Sequence, residues 1–561
     1  MKIKIDILQN SELVLLPLGG ASEIGMNCYL YGTGNPEARE WLMVDLGVKF
    51  GDDSEPGIDI VLPDLSFIEG ERQALAGIVL THAHEDHLGA LPWLWRRLGV
   101  PVYCTPFAAA LLSLKLQEFG LADDVPLRVK PVGAVFSAGS FEIEFVAVTH
   151  SIPEPTALLI RTRDGTVVHS GDWKIDRMPA IMPDMNEMRF RAIGDEGIDA
   201  FVCDSTNVLR EGHSPSESDV AATLDRLIAG APRRVAVTTF ASHVGRITSA
   251  VRSARRAGRD IVVAGRAMRG VIEAARATGY LRDAGDFLDE EAFGYLPPER
   301  VMLLCTGSQG EPRAAIARIA EDNHPHVALE EGDIVIFSSK TIPGNEKAVS
   351  AVLNNLARLG VDAITSDDAL VHTSGHPRRG ELRELYEWLR PRAVVPVHGE
   401  PRHLRAQAVF ARSCGVAEAV IADNGSIIRL APSPTTIIDE APAGRLHVDG
   451  RLIVPAEDGP ARHRRRLSFS GIVVVTLVVD RKDNLAADPQ VTAEGLPAFD
   501  ANGREMAGML AEVAGDVFDS IPRPRRRDTI NLGETLRIAV RRAANEAWGK
   551  KPVCRVVVHR L

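Results

Sequence analysis

No stretch of about eighteen uncharged apolar residues occurs in the 561-residue chain, and its opening MKIKIDILQN lacks an apolar signal region. A cytoplasmic protein without a membrane partner is therefore expected. Cysteine is also scarce. The six present (Cys28, Cys104, Cys203, Cys305, Cys414 and Cys554) are widely spaced and form no CxxC pair, which excludes a zinc ribbon and gives no sign of a disulfide framework. Aromatic residues make up only 5%, so base stacking cannot be widespread, although a few placed rings would suffice for sequence-tolerant binding. Basic charge is in deficit: the formal net charge of −11 argues against a protein that coats nucleic acid by bulk electrostatics, while leaving room for a locally basic channel. A hydrophobic content of 45% over this length exceeds one core, and about three domains of roughly 150–200 residues are expected.

What is present is concentrated at 76–87, AGIVLTHAHEDH. An apolar run that reads as a buried strand ends abruptly in His82, His84, Asp86 and His87, and LGALPWLWRRLG after it reads as an amphipathic helix. In extended backbone His82 and His84 point to the same side, while Asp86 and His87 start the next helix and turn elsewhere. One short loop can thus supply two metals. Imidazole nitrogen and carboxylate oxygen suit zinc, or manganese where carboxylate weighs more. A solvated polar loop would not need four ligand-type residues among six after a buried strand.

A hydrolytic two-metal site needs more ligands than one loop offers, including a bridging carboxylate. His150 closes FEIEFVAVTH, Asp172 follows TVVHSG, Asp204 closes IDAFVCD, His398 closes AVVPVH and Asp45 sits in WLMVDLG. Each is a polar residue ending a β-rich run. Any one alone reads as a turn residue, but their recurrence points to strand ends gathered on one rim.

These segments, with PLGGASEIGMN at 17–27, SGDWKID at 170–176, DSTN at 204–207, FASHVGR at 240–246, TGSQGEP at 306–312, IPGNE at 342–346, HTSGH at 372–376 and PVHGE at 396–400, run in order across about 400 residues. In them the chain resembles the metallo-β-lactamase-fold nucleases of the β-CASP group, and specifically the ribonuclease J family. The resemblance implies that His82, His84 and His150 hold one zinc, that Asp86, His87 and His398 hold another, that Asp172 bridges them and that Asp45 orients the histidine loop. Two Zn2+ per subunit follow, with Mn2+ or Mg2+ as ions that support activity. Further family motifs fall on Asp204, His376 and His398, and His at the last of these marks the members that act on RNA. Asp204 and His376 become the candidate catalytic pair. Ala241, Ser242, His243, His372, Thr373, Ser374, Gly375 and His376 become candidates for binding substrate around a 5′-terminal phosphate, although relatives commonly carry Asn at the place of His243 and a bulkier or basic residue near Gly245.

The implied fold is α/β: a metallo-β-lactamase αββα sandwich at 1–205 and 371–452, a β-CASP parallel α/β insert at 206–370, a linker at 453–466 and a small α+β domain at 467–561. The insert's βαβ pattern is also visible directly, where RRVAVTTF, DIVVAGR, RVMLLCTG and DIVIFSS alternate with helical stretches. Two basic runs, Arg462 to Arg466 and IPRPRRRD at 521–528, are open to reading as RNA contacts or as solvated surface. The expected activity is a zinc-dependent ribonuclease working 5′-to-3′ on 5′-monophosphate single-stranded RNA and also internally, in RNA processing and decay. The expected partners are RNA, a second copy in a homodimer or homotetramer, and other RNA-decay proteins. A small-molecule hydrolase would have no evident use for the insert, and a catalytically silent scaffold would not need the full ligand set.

Overall fold

A computed structural model describes residues 11–561 apart from 182 and 458. Their packing divides into two compact units: the described residues up to Lys49 with Val61–Arg445, and Phe50–Ile60 with Leu446–Leu561.

The first unit holds the expected αββα sandwich. One sheet of eight strands runs Thr436–Glu440, Ser426–Ala431, Glu12–Gly19, Cys28–Gly34, Glu40–Val44, Leu75–Val79, Val102–Cys104, Leu127–Val129. The facing sheet of seven runs Glu418–Ala419, Ala393–Val397, Ala200–Asp204, Gly165–His169, Thr156–Thr162, Phe141–Ala147, Val135–Ala138. Leu15, Tyr31, Val44 and Val79 of the first meet Phe145, Leu158, Val202 and Val395 of the second in one apolar layer. The second sheet's other face, including Leu159 and Phe201, is covered by Phe190, Leu385, Trp388 and Phe410 from helices Glu187–Glu196, Arg379–Leu389 and Pro401–Ser413. Strands covered on both faces need apolar residues at successive positions rather than alternation, which is why AFVCD and AVVPV are buried throughout.

Within the same unit the insert forms a six-stranded sheet, ordered Leu288–Asp289, Asp260–Ala264, Val301–Cys305, Val235–Thr238, Ile334–Phe337, Asp362–Ile364, and all its pairings are parallel.

In the second unit Ile472–Val479 lies between Gln490–Glu494 and Val553–Arg560. Its residues alternate between buried and half-buried, because helices Met506–Ser520 and Thr529–Trp548 supply Leu510, Phe518, Leu536 and Val540 to one face only. The stretch expected as a linker, 453–466, carries regular backbone. Leu452–Pro455 is a strand and Pro460–Ser470 is a helix. Pro460 stands at the first helical turn, where its fixed φ and missing N–H are favourable, and good helix formers follow it.

Phe145 is fully buried between the sheets, with the Phe136 ring edge-on at 5.0 Å. Phe145→Ala should destabilise the first unit by about 3–5 kcal/mol. A thermal midpoint equal to that of the parent protein, read by circular dichroism, would contradict this packing.

Candidate metal centre

Register brings the polar strand ends together. Gly165–His169, Ala200–Asp204 and Ala393–Val397 are parallel neighbours, with Asp204 opposite Val397, so the chain leaves them toward Asp172, Asp204 and His398 on one rim. In the facing sheet Glu40–Val44 and Leu75–Val79 are also parallel, and they release Asp45 and the histidine loop side by side. His150 is brought in by the antiparallel bridge between Thr149 and Lys174. Asp45 and His398 both take left-handed backbone, with φ of 61° and 49°, a conformation non-glycine residues hold only where surrounding contacts impose it.

The ligand-type atoms form three groups, each within 4.8 Å: His82, His84, His150 and Asp172; Asp86, His87, Asp172 and His398; and Asp172, Asp204, His376 and His398. Asp172 belongs to all three.

Hydrogen bonds on the outer side of the rings fix which nitrogens face inward. The Thr81 hydroxyl donates to Asp45 Oδ2 at 2.8 Å, so it accepts from His82 Nδ1 at 3.0 Å and leaves His82 Nε2 as a lone pair. His150 Nδ1 donates to the Gly375 carbonyl at 2.7 Å, leaving Nε2 bare. Both bare nitrogens approach His84 Nδ1, at 3.0 and 3.1 Å. His87 Nδ1 donates to Asp45 Oδ2 at 2.8 Å, and its Nε2 lies 3.3 Å from Asp172 Oδ2, with the Asn27 amide nitrogen 3.0 Å away. Converging lone pairs repel one another unless a cation or a proton lies between them. This donor set, imidazole nitrogens with carboxylates and outer-side hydrogen bonds already in place, fits a divalent ion such as zinc.

The protonation states divide the rings. Burial, aided by neighbouring rings, pushes His82 and His150 well below the ordinary imidazole range and His84 down to about 4, so these rings are neutral and ready to ligate at neutral pH. Burial acts the same way on His87 and His398 but is outweighed. Asp172, Asp86 and Asp45 hold His87 well above its usual value, and Asp172, Asp204 and Asp86 raise His398 to about 10. Asp172 stays ionised despite burial because His398 and His87 face it.

On the open side His376 Nδ1 donates to Asp204 Oδ2 at 2.7 Å, and Asp204 Oδ1 accepts from the backbone N–H and hydroxyl of Thr206. Burial lowers the imidazole's proton affinity, but Asp204 and Asp172 together outweigh it, so the imidazolium form of His376 is favoured relative to an ordinary imidazole. The other sequence candidates are less uniform. Ser374 Oγ accepts from the Asn207 amide at 2.7 Å, and Thr373 donates to the Pro215 carbonyl. Gly375 approaches so closely that a Cβ there would lie 2.4 Å from His150 Nδ1. Ala241 and Ser242 are half-buried in the turn before helix Val244–Arg256. His243 caps that helix, accepting from Arg246 N at 3.2 Å, and its Nε2 faces Glu217 at 3.2 Å. His372 Nδ1 is buried with no hydrogen-bond partner.

Three further residues position the site. Thr81 stands directly before the histidines, and its hydroxyl is the only local signal of its role. Asn27 ends PLGGASEIGMN and Asn207 ends DSTN, but their contacts cross 60 and 167 residues and leave no mark on local sequence.

Residues 24–243 match the metallo-beta-lactamase superfamily, 232–356 the ribonuclease J beta-CASP domain, 369–413 the Zn-dependent metallo-hydrolase RNA specificity domain, and 461–561 the ribonuclease J C-terminal domain. The chain is 48% identical over 556 residues to a ribonuclease J of Sinorhizobium meliloti, covering 99% of each. It is 39% identical to one of Mycolicibacterium smegmatis, covering 96% of this chain and 95% of that protein. It is 37% identical to one of Corynebacterium glutamicum, covering 96% and 75%. A solved protein of unknown function from Enterococcus faecalis V583 superposes on 74% of this chain and all of its own, with TM-score 0.52 and 16% identity, a likeness of fold alone.

The carboxylates facing His87 and His398 favour the protonated form of both rings, so zinc binding there would displace protons, and its affinity should rise with pH and weaken as pH falls. Zinc calorimetry at neutral pH in two buffers of different ionisation enthalpy counts the protons released. A count of zero would contradict the assigned protonation.

Proposed function

The chain belongs to the ribonuclease J family and is a metal-dependent ribonuclease, and on that premise we propose that it degrades single-stranded RNA 5′-to-3′ from a 5′-monophosphate end and also cuts internally, in RNA processing and decay. The observation that most supports this is the His376–Asp204 pair, which sits on the open side of a cluster whose inward lone pairs are already exposed.

In this reading His82, His84 and His150 would hold one zinc, Asp86, His87 and His398 a second, and Asp172 would lie between them, with manganese or magnesium as ions that support activity. When bound, such ions supply Lewis acidity, stabilising charge on the phosphoryl oxygens and lowering the proton affinity of water. Asp45, through Thr81 and His87, keeps the histidine loop in register. His376 faces the scissile phosphate as the imidazolium. When water attacks phosphorus and the bond to the 3′ oxygen breaks, His376 gives that oxygen its proton. Asp204 fixes the ring through Nδ1 and stabilises its charge. The proton lost by the attacking water restores the imidazolium through solvent. The downstream product then carries a new 5′-monophosphate, so each cut regenerates the preferred end.

Ala241, Ser242, His372, Thr373, Ser374 and Gly375 are assigned to the terminal phosphate. The unpartnered His372 Nδ1 is a group that a phosphate oxygen would satisfy. His243 supports this pocket by position, because Arg246 and Glu217 already occupy its ring nitrogens. We assign the chain to the cytoplasm. No helix among the described residues is long and apolar enough to cross a membrane. A homodimer or homotetramer and other RNA-decay proteins complete the proposed partners.

The test is a time course with zinc-loaded protein on one single-stranded RNA bearing a 5′-monophosphate or a 5′-triphosphate, with the matching DNA alongside. Mononucleotides released rapidly from the monophosphate RNA only, plus slower internal fragments, are expected. Equal release from both ends would remove the terminal-phosphate pocket. In the same assay His376→Ala should lower the cleavage rate by about 10²-fold or more. Retained RNA affinity and zinc content would separate loss of the proton donor from loss of the site.

A further inference from the structure

The second unit carries two arginine-rich runs with different surroundings. In the run at 521–528 most guanidinium groups are already used. Arg526 is buried, donates to the carbonyls of Ile521, Asp483 and Asp519, and lies 4.5 Å over the Phe518 ring. Arg527 pairs with Asp483, as does Arg560, and Arg523 donates to Asn484. This run braces the fold.

The helix Pro460–Ser470 is arranged otherwise. Ala461 and Ser470 are buried, and Arg464 is tied to Asp449 at 2.7 and 2.8 Å, which together define its inward side. Arg462, Arg465, Arg466 and Phe469 recur at the i, i+3, i+4, i+7 spacing and share the outward side. All four are exposed, and the three arginines have no ion pair among the described residues. With Gly459 and His463 they line a concavity of about 620 Å³. The Phe469 ring is 70% exposed, and the Lys550 ammonium lies 4.8 Å from its centroid, adding a further cation.

We infer that this face, built from residues other than those of the histidine cluster, binds the phosphodiester backbone of single-stranded RNA, the arginines taking phosphates and Phe469 stacking on a base. In a chain of net charge −11, a basic face without ion pairs among the described residues is where a polyanion finds its complement. Planar guanidinium forks match phosphate oxygens, and an exposed ring among them suits a base, whereas an acidic peptide would have no use for it. Residues 462–469 extend about 10 Å along the helix, the reach of a few nucleotides. The inference rests on RNA as the substrate class and not on the direction or end preference proposed above.

The experiment is fluorescence anisotropy with the full-length, zinc-loaded protein and a labelled, cleavage-resistant phosphorothioate single-stranded RNA, titrated between about 50 and 200 mM salt. Each lost phosphate contact removes about 0.7 from the slope of log affinity against log salt, so R462A/R465A/R466A should flatten the slope by about 2 and weaken binding about tenfold at low salt. R462K/R465K/R466K, which keeps the charge, should retain most of the slope. F469A should weaken binding about fivefold with the slope unchanged, and it decides the matter alone if the triple alanine variant fails to reproduce the parent melting temperature. Equal affinity and slope in parent and triple alanine protein would overturn the inference. So would poly-glutamate binding with the same arginine dependence as the RNA, which would mark a face for an acidic protein.

Discussion

The site is organised around the charge of Asp172. Its Oδ2 lies within 3.9 Å of His82, His87, His150 and His376, and its Oδ1 is 3.4 Å from His398. A carboxylate buried this deeply would ordinarily take up a proton. It stays ionised because five rings surround it and some of them carry protons, so carboxylates and imidazoles hold one another in charge states that neither would keep alone. A divalent ion placed among the inward nitrogens replaces those protons and leaves the balance intact. The outer hydrogen bonds of Asp45, Thr81 and the Gly375 carbonyl set the ring orientations that such an ion would need.

This balance depends on contacts that are very distant in sequence. Asp172 and His150 precede the inserted parallel domain, and His376 and His398 follow it, yet the His150–Gly375 bond spans 225 residues. What closes that distance is the parallel register of Gly165–His169, Ala200–Asp204 and Ala393–Val397. A one-residue slip of the last strand would point His398 away from Asp172 and turn the apolar side chains of Ala393–Val397 out of the layer they fill. Core packing thus selects the same register that the site requires.

The histidine loop was legible in the sequence because its donors are contiguous, and the insert because its parallel strands write continuous apolar runs. Recurrent polar strand ends exposed Asp45, His150, Asp172, Asp204 and His398 as a set, although which residue serves which partner came from family resemblance. What the sequence hid were roles created by folding. His243 reads as a candidate phosphate ligand, but its neighbours Arg246 and Glu217 form a buried pair that engages both ring nitrogens. Thr81 and Asn27 have no distinctive spacing, since each acts by facing a strand or loop that only the assembled sheet brings near.

The two arginine runs show the same limit from the other side. Composition cannot separate RRRD at 525–528 from RHRRR at 462–466. The difference lies in Asp483, which a tight turn after Ile472–Val479 presents to Arg527 and Arg560, while the helix at Pro460–Ser470 spends one arginine on Asp449 and turns three others to solvent. Repulsion among three guanidinium groups that have no ion pair among the described residues, within one and a half helical turns, costs stability that a neutral residue at any of these positions would recover. A fold that needed only a helix here would gain nothing from keeping all three outward. The cost is offset only when an anion is supplied from outside, and in a ribonuclease the anion present at every turnover is the substrate backbone.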